Sequence, residues 1–177
     1  MSHPTDIHTG VMADEADTLA ALATGARVLE CGSWFGFSTV VMARVADRVV
    51  AVDWHHGDRH AGERETLGTF RDNLARYGVA DRVDVRVGRF EEVLPNLSEA
   101  FDGVFLDGMH DHDSVSRDLA LVAPHADRPG CWLAIHDYDV PAEWGFEVRE
   151  VVDDWLAAHP EWEREGQTGK LLVLRHR

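Results

Sequence analysis

The sequence predicts an α/β fold, a parallel sheet covered by helices on both faces and closed by an antiparallel hairpin. Two observations carry this. Short apolar runs alternate with helix-length amphipathic stretches, the signature of repeated β-α-β units. The last two apolar runs are separated only by EGQTG (165–169), whereas a parallel crossover needs roughly a dozen residues or more.

Taken in order, a leading helix is expected over 14–23 and a first strand over 27–31. A helix over 38–45 follows, then a strand over 49–53, a long helix over 63–77 and a strand over 83–87. A short helix at 91–97 precedes the strand at 104–107, a helix over 113–122 precedes the strand at 132–136, and a helix over 145–159 leads into the hairpin. At 177 residues the chain has the size of one domain with its own core. It is read as one unit over 1–177, with 1–12 as a flexible start.

The segment VLECGSWFGFST (28–39) is the most informative. An apolar strand runs into a glycine-spaced turn and on into a helix, the arrangement that seats a nucleotide-like cofactor at the end of a parallel strand. Gly32 and Gly36 lie where the backbone must turn sharply and approach a ligand with no Cβ in the way. Ser38 and Thr39 fall in the first helical turn, where free N–H groups and hydroxyls face the site. The next strand, RVVAVDW, ends in Asp53, 21 residues beyond Gly32 (53 − 32). An acid at that spacing accepts hydrogen bonds from ribose hydroxyls.

Missing features narrow the cofactor. A dinucleotide site uses G-x-G-x-x-G, but here Trp34 and Phe37 hold the second and third glycine positions and would crowd a diphosphate. Glu30 would repel phosphate and could pair with an ammonium group. A ligand with ribose, adenine, an amino-acid tail and a sulfonium cation, S-adenosylmethionine, fits better, and Ser33 and Trp34 in the turn join the expected contacts. The aromatic rings there can also hold a cation.

The pattern E-x-G-x-x-x-G (Glu30, Gly32, Gly36) with Asp53 after the next strand resembles the class I S-adenosylmethionine-dependent methyltransferases. FDGVFLDGMHDHDSVSRDL, PGCWLAIHDY and TGKLLVLR extend the resemblance to the C-terminus, toward the branch of small-molecule O-methyltransferases acting on macrolide sugars and similar natural products. The resemblance implies a Rossmann-like, doubly wound sheet of seven strands, mostly parallel with a C-terminal antiparallel hairpin. It implies that ligands sit at the carboxyl ends of the strands, where Glu30, Asp53, Asp107, His136 and Asp137 lie.

Methyl transfer from a sulfonium is an in-line displacement, so holding the acceptor at attack distance and taking its proton are the protein's tasks. His110, three residues past the fourth strand, has the right ordinary pKa for a base. The resemblance implies the same role for a histidine in this D-G-x-H setting, with Asp107 beside it. The alternative is a divalent cation on the acceptor oxygen. The family's metal ligands map onto Asp107, His136 and Asp137. Here His136 replaces a carboxylate and Met109 stands where some relatives carry Asp, which suits Mn²⁺ or Fe²⁺ better than Mg²⁺.

Trp54 is expected to pack on the adenosine. Arg89 stands where many relatives have an acid touching the adenine amino group, which leaves adenine to the Phe90 ring and N–H. In DWHHGDRH, the side chains of His55, His56, Asp58 and His60 form either a transition-metal cluster or a mobile loop over the site. The run DHDSVSRD reads as an acidic helix N-terminus.

Composition sets limits. A net charge of −15 argues against a nucleic-acid substrate. No apolar stretch approaches the roughly 20 residues that cross a bilayer, so a cytoplasmic protein with no membrane partner is expected. Cys31 and Cys131 read as buried apolar side chains. With one leading helix and no lid helices, acceptor contacts are expected from loops near 55–63 and 138–146, or from a second subunit in a homodimer or higher homo-oligomer. The readings to be separated are O-methyl transfer to a small-molecule acceptor, N- or C-methyl transfer or another use of the cofactor, and cofactor binding without catalysis.

Overall fold

The computed structural model describes residues 3–58 and 62–177. The elements run α1 (Ala13–Ala23), β1 (Arg27–Cys31), α2 (Phe37–Ala43), β2 (Arg48–Asp53), β3 (Gly57–Asp58), β4 (Gly62–Glu63), α3 (Leu67–Arg76) and β5 (Val83–Val87). They continue with α4 (Phe90–Val93), β6 (Gly103–Leu106), α5 (His112–Val122), β7 (Trp132–Ile135), α6 (Val148–Ala158), β8 (Trp162–Thr168) and β9 (Leu171–His176).

Seven strands form one sheet in the order β5-β2-β1-β6-β7-β9-β8. The first five in that order pair in parallel, and β9 pairs antiparallel with both β7 and β8. The chain begins at the centre with β1, winds outward to β5, then returns to β6 on the other side of β1. That reversal makes the gap between the ends of β1 and β6 the switch point, where an open α/β sheet leaves a crevice.

Strand alternation explains the two cores. Val28, Val49, Ala51, Phe105, Ala134 and Val173 face α1, α2 and α3. Their neighbours Leu29, Val50, Val104, Leu133 and Leu172 face α5 and α6. Each fully buried Val, Leu or Phe among them contributes about 1.5–3 kcal/mol. The edge strand β8 buries Trp162 but exposes Glu163, Arg164 and Glu165, charges that discourage pairing with another sheet.

Several boundaries differ from expectation. The long helix begins at Leu67, because Arg64 N–H donates to His56 O and Thr66 N–H to His55 O, tying that stretch back to the ribbon of β3 and β4. The expected helix at 91–97 is one turn of α4 followed by a tight turn with Pro95 in its first positions. Gly145, at φ 82°, ends a separate turn, so α6 starts at Val148. Residues 3–12, read as a flexible start, lie against the domain with Ile7 and Val11 buried in the α1–α3 core. That stretch is too short and irregular to show a period. Both cysteines are buried and unpaired, as expected. Among the described residues no helix is long and apolar enough to cross a membrane.

Candidate functional site

A cleft with a cavity volume of about 590 Å³ opens across the carboxyl ends of β1, β2, β6 and β7. Its floor is the β1–α2 turn. Gly32 has φ 93°, and a Cβ there would lie 1.9 Å from the Asp107 carbonyl oxygen, so only glycine lets the first turn and the β6 end meet. Gly36, at φ 89°, caps α2 and keeps its place against the Phe70 ring.

The Asp53 carboxylate organises this floor. Oδ2 accepts from the N–H groups of Ser33 (2.7 Å) and Trp34 (2.8 Å), and Oδ1 from that of His55 (2.6 Å). The expected ribose contact therefore shares a carboxylate that already holds two loops. Trp34, His55 and Asp137, which follow the ends of β1, β2 and β7, are non-glycine residues with φ of 44°, 59° and 54°. Backbone strain of this kind, about 1–3 kcal/mol each, concentrates at functional sites. Trp34 lines the cleft with a buried indole Nε1 that has no hydrogen-bond partner, and its ring packs edge-on to His8.

Glu30 is not where the sequence reading put it. Its side chain shares the α2-facing side of β1 with Val28, fully buried and away from the cleft lining. Ser38 Oγ donates to its Oε1 (2.6 Å) and Thr39 Oγ1 to its Oε2 (2.5 Å). Burial raises its pKa to about 8, with the charges of Asp53 and Asp107 adding to the shift and the two hydroxyls opposing it. It contacts the cleft only through Ser38, which lines it.

At the β2–β5 end, Trp54 is 39% exposed and the Arg89 guanidinium lies 4.3 Å from its ring centroid, so both border the mouth together with Phe90. The two described histidines of the cluster point apart. His55 is buried on Thr66 and Phe70, whereas His56 is exposed and tilts against the Trp54 ring. His60 and the Asp58 side chain lie outside the described residues.

At the β6–β7 end the expected residues converge. One ligand atom each from Asp107, His136 and Asp137 falls within 4.8 Å of the others. His136 Nδ1 lies 3.4 Å from both Asp107 Oδ1 and Asp137 Oδ2, and Nε2 is 3.1 Å from Glu15 Oε2. His110 Nε2 is 3.0 Å from Asp137 Oδ2, and Lys170 Nζ is 2.8 Å from Oδ1. Burial works against protonating His136, but Asp107, Asp137 and Glu15 outweigh it and push the pKa up to about 12. Burial likewise works against ionising Asp137, yet its bonds to His110, His136 and Lys170 hold it well below the usual carboxylate range.

Glu15 was not anticipated. It is fully buried on α1, where it also accepts from Met12 N–H and Lys170 N–H. The available signal was an acid in i, i+4 register with Val11 and Leu19 on an apolar face. Asp118 on α5 was missed in the same way, buried on the face that carries Val115 and Leu119. The cleft walls differ in part from the loops expected to contact an acceptor. Residues 8–11 line the cleft, as does Gly57 of the 55–63 loop, whereas loop 138–146 places Phe146 behind His110, at 4.2 Å between ring centroids.

Comparison with known proteins gives a consistent picture. The profile of the family described as "Methyltransferase domain" matches residues 29–138, more than half of the chain. A catechol O-methyltransferase from Mycobacterium tuberculosis is 43% identical over 93 residues, which is 50% of this chain and 39% of that protein. The tRNA (adenine(58)-N(1))-methyltransferase TrmI of Thermus thermophilus is 26% identical over 89% of this chain and 64% of its own length. The chain thus spans less than two-thirds of either. The crystal structure of cofactor-bound Rv0187 from MTB superposes with a TM-score of 0.77 at 26% identity, covering 97% of this chain and 84% of that one.

Proposed function

From the premise that this chain belongs to the methyltransferase domain family, we propose that it transfers a methyl group from S-adenosylmethionine to a hydroxyl oxygen of a small molecule. The observation that carries this is the cleft itself: a glycine floor organised by Asp53 at one end and the His110–Asp137 pair at the other, across one cavity.

The donor set fits the cofactor. Ser33, Trp34, Ser38 and Asp53 offer hydrogen-bonding groups and an aromatic wall around the Gly32 turn, and the unpaired Trp34 Nε1 is a donor awaiting an acceptor. Bound there, S-adenosylmethionine supplies an activated methyl group on a sulfonium. His110 takes the acceptor's hydroxyl proton, and the Asp137 carboxylate holds the imidazole and stabilises it once charged. Phe146 packs on His110 and restricts its rotation. The small-molecule assignment is supported by the catechol O-methyltransferase relative. The tRNA-modifying relative raises an RNA acceptor, but a net charge of −15 opposes binding a phosphate backbone.

A second reading adds a divalent cation held by Asp107, His136 and Asp137. It is favoured by one observation: Glu15 sits on His136 Nε2 and leaves Nδ1 toward the two carboxylates, the arrangement of an outer carboxylate orienting a metal-binding histidine. Such an ion would lower the pKa of the acceptor oxygen.

Calorimetric titration with S-adenosylhomocysteine, with NADH as control, tests both readings. Binding of the first and not the second is expected. Absence of S-adenosylhomocysteine binding with EDTA, Mg²⁺ or Mn²⁺ refutes the cofactor assignment. Heat that depends on added metal selects the second reading.

A further inference from the structure

Asp118 is an anomaly in the described structure. It is a carboxylate at 2% exposure on the apolar face of α5, its Oδ1 is buried without a hydrogen-bond partner, and it borders the cleft. Its nearest cation, Arg117 Nε, is 3.5 Å away on a half-exposed side chain. Burying a carboxylate without partners costs several kcal/mol, so a group of this kind calls for an explanation.

Its surroundings supply one. A Cβ on Gly108 would lie 2.9 Å from Asp118 Oδ2 and 2.9 Å from Phe90 Cε2. The carboxylate and the aromatic ring therefore close over the same bare stretch of backbone just after β6. At the β5 end Arg89, a donor only, lies on Trp54 and offers an amine no acceptor. An acceptor beside an aromatic ring on the cleft wall matches a planar heterocycle carrying an exocyclic amino group.

We infer that Asp118 recognises the 6-amino group of the cofactor's adenine, accepting its N–H while the Phe90 ring packs on the base. The inference rests on the S-adenosylmethionine reading and identifies the residue that makes the site selective for a 6-aminopurine. Burial raises the Asp118 pKa to about 6. At about pH 7.5 the ionised form, an acceptor only, still predominates. Glu91, also bordering the cleft but exposed, is the competing acid.

The test compares binding of S-adenosylhomocysteine with that of S-inosylhomocysteine, in which a carbonyl oxygen replaces the amino group. Wild type is expected to prefer the adenosyl ligand by about tenfold to a hundredfold, the range for a hydrogen bond to a charged group. Asp118→Asn narrows that preference, and Glu91→Gln retains it. Equal binding of both ligands by wild type, an unchanged preference in Asp118→Asn, or its loss in Glu91→Gln overturns the inference. Should Asp118→Asn not fold, equal binding of the two ligands by wild type or loss of the preference in Glu91→Gln still overturns the inference. Failure of wild type to bind S-adenosylhomocysteine at all refutes the cofactor reading instead, so the two failures are distinct.

Discussion

Replacing Glu30 by Gln should make the protein more stable, and increasingly so as the pH rises. Glu30 is fully buried, and burial, reinforced by the charges of Asp53 and Asp107 and opposed by the Ser38 and Thr39 hydroxyls, moves its pKa from an ordinary 4.5 to about 8. The folded state thus holds a proton that the unfolded chain has released, so the stabilising contribution is full below about pH 4.5 and is lost as the pH rises toward 8. In that window stability falls by about 1.4 kcal/mol for each pH unit. A glutamine keeps the shape and has no proton to lose. Urea denaturation of both proteins between pH 5 and 8 should therefore show the variant gaining on wild type by about 4 kcal/mol across the range, levelling off above pH 8. Asp118 titrates in both and cancels. A difference that does not vary with pH would refute the reasoning, because it would mean that Glu30 stays ionised with the two hydroxyls solvating it.

Gly32→Ala should fold poorly and lose S-adenosylhomocysteine binding. The left-handed φ alone costs about 1–2 kcal/mol, and the new Cβ, 1.9 Å from Asp107 O, forces the β1 and β6 ends apart; thermal melting and calorimetry report the two effects. Glu15→Gln should lower stability by about 3–5 kcal/mol in denaturant titration. It removes the charge facing His136 and turns an amide N–H₂ toward a backbone donor, Met12 N–H or Lys170 N–H.

Much of the site was legible because it follows from local rules. The E-x-G-x-x-x-G turn, the strand-end Asp53 and the set Asp107, His110, His136 and Asp137 all sit where a parallel strand must end and its chain must turn, and the structure gathers them around one cleft. Apolar runs alternating with helical stretches, and the short EGQTG connection, made the fold class readable; strands buried on both faces read as continuous apolar runs, so which side chain joins which core was not. Glu30 shows the limit of that reading. It lies one residue before the strand's end, so its face was predictable, but whether that face meets ligand or helix depends on where α2 packs.

The sequence by itself determined the order of elements, the doubly wound sheet with its antiparallel closing hairpin, and the chemistry available at the strand ends. Each of these depends on residues near one another in the chain. Only the tertiary structure decided that Glu15, 121 residues from His136, backs that imidazole, that Lys170 neutralises Asp137, that residues 8–11 wall the cleft, and that His55 and His56 part company. Those pairings depend on how helices settle on the sheet, and buried charge must find its partner wherever packing leaves one.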